Sequence, residues 1–236
     1  MNKKVIFSSV LMGLSTLQSV SVSAESTTHD TRLPNFEVGA STGLLSSEQF
    51  YGLDVTINMP VTDMITTQFL VNSDYFVANS SKDDYSQSEV VGNAFLRSNA
   101  GRVGAGLGYK ERKPGDEALA KESSTALSFY GDLYFGDFTV GLSETEYEED
   151  IDTFSGQTIS LAYYLDPNRQ MFLRKEKMNR NDIMVVGVNL QPEKFSNHAS
   201  INLSFETGDE HFYIGLGISY FFDTAITLKQ RDRNYH

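Results

Sequence analysis

From Asn35 to Phe222 apolar and polar residues take turns with a period of two. An extended strand sends successive side chains to opposite faces, so each such run has one apolar and one polar side. Tyr51, Leu53, Val55, Ile57 and Met59 alternate with Gly52, Asp54, Thr56 and Asn58. The pattern returns over residues 103–110, 127–133, 138–143, 159–165, 195–205 and 211–222. No stretch of comparable length repeats every 3.6 residues, so the chain is predicted to be all-β and antiparallel. The runs span about 8 to 11 residues, longer than the usual five or six of a soluble strand. That length suits a tilted strand crossing a membrane.

The connections alternate as well. Residues 59–63, 98–101, 136–137, 166–168 and 191–194 are tight turns rich in Pro, Gly, Asn and Asp. Between them lie mostly longer, charged connections at 77–88, 110–122 and 144–156. Short turns at one end and longer loops at the other, with both termini on the short-turn side, predict a transmembrane up-and-down β-barrel of about twelve strands. Closure satisfies every backbone amide, which an open sheet in lipid cannot do. A secreted sandwich also alternates. Its connections need not alternate in length, however, and the polar faces here are rich in Gly, Ser, Thr and Asn while the apolar faces end in Tyr or Phe, as interfacial girdles do.

The first 24 residues read as a secretory signal: Lys3 and Lys4, an apolar stretch of ten residues over 5–14, then Val22-Ser23-Ala24 before the cleavage point. Ten apolar residues are too short for an anchor helix. Losing the two Lys takes the formal charge from −12 to −14, which argues against nucleic acid. The chain has no Cys, so a disulfide framework, a thiolate metal site and a Cys nucleophile are excluded together. The expected organisation is a signal peptide at 1–24, a periplasmic segment at 25–34, the barrel at 35–222 and a polar C-terminal tail at 223–236.

On these residues the chain resembles Gram-negative outer-membrane β-barrels of the porin type. The closing run from Tyr213 to Phe222 is similar to the terminal signal read by the barrel-assembly machinery, with alternating apolar residues, glycines and final aromatics. The resemblance implies outer-membrane localisation, contact with lipid and lipopolysaccharide, passage of small polar solutes and no cofactor. Size and strand number are similar to small twelve-stranded porins for acidic oligosaccharides. Such proteins usually stop at the terminal aromatic, whereas this chain continues for 14 residues. Residues 224–228 are expected to extend the last strand and 229–233 to form a polar periplasmic tail.

The lumen face is predicted to carry Glu37, Asp54, Arg102, Asp132, Arg174 and Glu176, four acids and two bases. It does not repeat the Arg and Lys stripe of porins for acidic sugars, so weak cation preference is expected. Arg174 and Glu176 stand two apart on one face and could pair. The faces of residues 90–96 and 183–190 are ambiguous, and inward Val and Ile there would partly fill the lumen. Glu144, Glu146, Glu148, Glu149, Asp150 and Asp152 put six carboxylates in nine residues. They read as a solvated extracellular loop, with a cation funnel or divalent bridging to lipopolysaccharide as alternatives; the ligand spacing of a dedicated calcium loop is absent, and no metal site is expected. His198 and His211 sit too far apart on the last hairpin for one dyad, and no catalytic site is expected. The remaining alternatives are a non-conducting barrel with a structural or surface-binding role and a barrel lipid hydrolase or protease.

Overall fold

The computed structural model describes residues 34–236 apart from 46–47, 79–83, 117, 149–155, 179–180, 196–197, 209–211, 223–225 and 236. The proposed signal at 1–24 and nearly all of the segment 25–34 lie outside the described residues.

Twelve antiparallel strands close on themselves, each paired with its chain neighbour and the last with the first. They are β1 (Asn35–Leu45), β2 (Glu48–Pro60), β3 (Ile65–Val77), β4 (Tyr85–Ser98), β5 (Gly101–Pro114), β6 (Glu122–Phe135), β7 (Phe138–Tyr147), β8 (Gly156–Asp166), β9 (Arg169–Met178), β10 (Asn181–Leu190), β11 (Ala199–Thr207) and β12 (Phe212–Phe221). The all-β barrel and its strand number follow the alternation.

The outward face is apolar. Leu53, Val71, Leu107, Leu142, Ile159 and Ile218 stand exposed around the middle of the wall. Phe36, Phe135, Phe138, Tyr163, Tyr220 and Phe222 ring the short-turn end, and Tyr51, Tyr75, Tyr109, Phe205 and Phe212 ring the other. So much exposed apolar surface suits hydrocarbon between two aromatic girdles rather than water.

Three local readings change. Strands run further into two of the connections than expected: β3 reaches Val77, β4 begins at Tyr85 and β5 continues to Pro114. Backbone pairing to the neighbouring strand outweighs the polar composition of these ends. The turn after β10 is longer than four residues, because a short 3₁₀ turn at Glu193–Phe195 precedes β11, so Phe195 and His198 are not in a strand. Ile226 and Thr227 do not extend β12; Thr227 caps a helix, α1 (Leu228–Asn234).

The turn between β6 and β7 needs its glycine. Gly136 has φ 58°, a left-handed conformation that costs a side-chain-bearing residue about 1 kcal/mol or more.

Candidate functional site

The barrel interior is polar in its middle and crowded at both ends. The alternation turns Glu37 of β1, Asp54 of β2, Arg102 of β5, Asp132 of β6, and Arg174 and Glu176 of β9 inward. Arg102 Nε donates to Asp132 Oδ2 at 2.6 Å, and its guanidinium lies 5.4 Å from the Phe95 ring centre and 5.7 Å from that of Tyr130. Arg174 pairs with Glu176 through Nε, and its Nη2 lies 3.9 Å from Glu206 Oε1. The six residues therefore share one interior but not one cluster.

Glycines on the facing strand make room for the acids. A methyl on Gly39 would fall 2.4 Å from the Asp54 carboxylate, one on Gly52 2.7 Å from Asp74, and one on Gly141 2.5 Å from Asp132. Each glycine is the register partner of its acid, so the carboxylate lies over the glycine backbone, where a side chain would otherwise stand, and lines the lumen from there.

Asp74, Glu89, Lys110, Arg112 and Glu206 were missed as inward charges. Their strand-parity signal was present, but β3 breaks the alternation at Phe69-Leu70-Val71, where Leu70 turns inward, and Lys110 and Arg112 lie in a stretch that reads as loop. In the ambiguous segments Val91 and Phe95 of β4 and Ile183 and Val185 of β10 point inward. Ile183 and Val185 pack with Ala162, Phe172 and Tyr147, and Leu45, Phe50, Phe76, Tyr213 and Tyr85 form a second group toward the long-loop end. These side chains fill part of the lumen there.

Between the ends remains a cavity of about 200 Å³. Its charged lining comprises Glu37, Asp54, Asp74, Glu89, Asp132 and Asp232 against Arg102, Arg174 and Arg231. Asn72, Asn93, Asn189 and Asn202 add amides, and short hydroxyls share the rest of the wall with apolar groups such as Phe50, Leu70, Val91 and Phe172.

The segment expected to be a free polar tail is instead α1, seated in the short-turn mouth. Thr227 accepts from the Gln230 backbone N–H and the Gln230 side chain returns to the Thr227 N–H, a reciprocal cap. Its basic residues find the carbonyls and aromatic rings of the mouth, which is why a polar sequence is buried here. Lys229 pairs with Asp137. Arg231 donates to Gln191 Oε1 at 3.1 Å and to Ser200 Oγ at 3.2 and 3.3 Å, and its guanidinium carbon lies 3.5 Å from the Phe221 ring centre. Asp232 accepts from the Tyr164 hydroxyl at 2.7 Å and from Gln170 Nε2 at 3.1 Å. Arg233 donates to the Gly136 and Phe138 carbonyls, each at 3.0 Å, and Arg97 of β4 donates to the Asn234 carbonyl. Leu228 and Tyr235 are fully buried. Burial pushes Asp232 up to about 7 against the pull of Arg231 and the Tyr164 hydroxyl, and lowers Arg231 and Arg233 below the usual guanidinium value. Asp137 is held down by the hydrogen bond and charge of Lys229.

The acidic run is only partly loop. Glu144 and Glu146 stand in β7 on the outer wall near the long-loop end, where strand pairing continues. Glu144 accepts from Gln157 Nε2 at 2.9 Å, and Glu148, just past the strand, accepts from Thr125 Oγ1 at 2.6 Å. Glu149, Asp150 and Asp152 lie outside the described residues. His198 places Nδ1 3.1 Å from the Phe221 carbonyl and stacks on Tyr220; His211 is outside the described residues.

No family model matches the sequence, and no curated protein matches it. Solved structures do match. The KdgM porin superposes with a TM-score of 0.57 at 12% identity, covering 79% of this chain and 99% of that one. An outer membrane channel from Pseudomonas putida F1 gives 0.55 at 12%, covering 84% and 100%. The Salmonella typhi outer membrane phospholipase dimer with bound calcium gives 0.57 at 10%, covering 86% and 96%. At these identities the likeness establishes the fold alone: the chain is a closed twelve-stranded barrel of the outer-membrane kind, an architecture whose solved examples include a porin, a channel and a phospholipase.

Proposed function

We propose that this protein is an outer-membrane channel for small polar solutes, directed there by a cleaved signal and weakly selective for cations. The observation that carries the reading is the mid-barrel cavity, whose lining sets six carboxyl groups against three guanidinium groups. A low-dielectric wall focuses that excess of negative charge and favours cations. A volume of about 200 Å³ is below the ~300–1,000 Å³ of a drug-sized pocket, so the solutes are small ions and short polar molecules rather than sugar chains. The wall is in contact with lipid. Lipopolysaccharide meets the charged outer rim, where Lys175 pairs with Asp182 at 2.9 Å, and assembly proceeds through the closing strand. We read the protein as a channel rather than an enzyme: His198, the histidine that the described residues contain, is engaged at the short-turn end by the Phe221 carbonyl and Tyr220.

The test is single-channel conductance of the refolded mature chain in a planar bilayer under a salt gradient. Discrete openings with a cation-leaning reversal potential are expected. The double substitution Glu37→Gln and Asp54→Asn is expected to move that potential toward zero without abolishing conductance. An anion-leaning potential would overturn the selectivity. A second reading, a non-conducting barrel with a structural or surface-binding role, is favoured by one observation: α1 sits in one mouth while aromatic and aliphatic side chains crowd the other end. A folded barrel in which neither the intact chain nor variants with a weakened α1 ever open would decide for it.

A further inference from the structure

The setting of Arg231 looks like a receptor site occupied by its own chain. The guanidinium lies over the Phe221 face at 3.5 Å, its two terminal nitrogens reach Ser200 Oγ, one of them also reaches Gln191 Oε1, and Glu37 of β1 lines the same cavity. Arg231 Nε lies 3.7 Å from Asp232 Oδ1. An aromatic face, in-plane acceptors and a carboxylate are what a planar cation requires. The wall residues of the cage belong to the barrel: Phe221 closes β12, Ser200 lies in β11, Glu37 in β1, and Gln191, which also donates to the Ile226 carbonyl, directly follows β10.

Arg231 also lines the central cavity, so the cage opens onto the solute path. The helix that delivers it has seven residues. That is well short of the ~12–15 at which an isolated helix becomes even marginal in water, so α1 holds its shape chiefly while docked.

We propose that the cage of Phe221, Ser200 and Gln191, with Glu37 on the adjoining cavity wall, is a guanidinium-binding site of the channel, and that α1 is a displaceable plug whose Arg231 occupies this site in place of a solute. The inference rests on the channel reading above and deepens it: the favoured cation is planar and hydrogen-bonding, of the guanidine or alkylguanidine class, and it competes with the plug for one place. With Arg231 in the cage the short-turn mouth is closed. With the helix out, the mouth opens and the cage is free for solute.

The experiment is guanidinium rescue of the full mature chain in planar bilayers, with folding of every variant checked by heat-modifiable migration on gels. Arg231→Ala removes the ring contact and the hydrogen bonds together and is expected to raise the open probability by about tenfold or more. Guanidinium competes with the plug only while Arg231 is present: millimolar guanidinium chloride on the short-turn side is expected to raise openings of the intact chain, and in Arg231→Ala, where it fills the vacated place under the helix, to return openings toward the intact level. Tetramethylammonium chloride at the same concentration, with the charge but no N–H donors, is expected to leave it open. Should Arg231→Ala not fold, Ser200→Ala keeps the arginine and removes one acceptor, and a several-fold rise in openings is expected. Channels that open equally with and without Arg231 would overturn the plug. Openings in Arg231→Ala that ignore guanidinium, or that tetramethylammonium closes equally, would overturn the cage while leaving the plug. Folded barrels that never conduct in any variant would overturn the channel reading, and this inference with it.

Discussion

Asp232 is the residue at which solution conditions reach the plug. Its ordinary carboxylate value is 3.8, and in the docked helix burial raises it to about 7. The docked form therefore takes up a proton more readily than the free tail. The stability this contributes is complete below about 4 and is lost as pH rises through 7. Asp137 works the other way: Lys229 holds it low, so its contribution fades only in acid, below the ordinary carboxylate range. Arg231 and Arg233, though lowered, stay charged between these limits, with Arg233 at about 10. Docking is thus tightest at mildly acidic pH. Open probability is expected to rise from pH 5 to pH 8, by at most about tenfold per unit, and the dependence should flatten in Asp232→Asn. Single-channel recording across that range checks both. A profile unchanged by the substitution would remove Asp232 from the account.

Among the elements, α1 and the strands obey different rules. A strand here is held by two neighbours along its whole length, so a single poor residue does little. The helix is short and leans on its cap, because its first backbone N–H groups have no partner inside the helix. Thr227→Ala removes the cap acceptor at a cost of about 1 kcal/mol. Roughly a fivefold increase in the undocked population is expected, read as open probability or as labelling of a cysteine placed at Asn234, away from the cap, with the barrel's own resistance to urea unchanged. Labelling that does not change would mean that wall contacts alone hold the helix.

At the scale of the molecule, one surface is apolar and the other is polar and holds α1. Leu107 is 71% exposed at mid-strand on β5, between two girdles. Leu107→Arg there should destabilise the barrel by about 2–4 kcal/mol, measured by urea unfolding in lipid vesicles. A negligible effect would argue that this wall does not meet hydrocarbon. The inner surface tolerates charge because it offers partners, as the Arg102–Asp132 and Arg174–Glu176 pairs do.

Legibility divides along the same lines. The parity of β1, β2, β5, β6 and β9 puts Glu37, Asp54, Arg102, Asp132, Arg174 and Glu176 on one face, since a period of two leaves no other choice once one residue's side is known, and in the structure that face turns inward. Asp74 and Glu89 escaped because Leu70 and Val91 put apolar groups on both faces of β3 and β4, which erases the alternation that would have shown them. Strand identity, strand number, the short turns other than the one after β10 and the apolar outer wall were determined by the sequence itself, because each follows from neighbours one or two residues apart. The seating of α1 was decided only by tertiary structure. Lys229, Arg231, Asp232 and Arg233 read as a solvated tail because charged residues normally stay in water. Their partners, Asp137, Ser200, Tyr164 and Gly136, lie about 30 to 100 residues away and come together only when the twelve-stranded sheet has closed into a mouth.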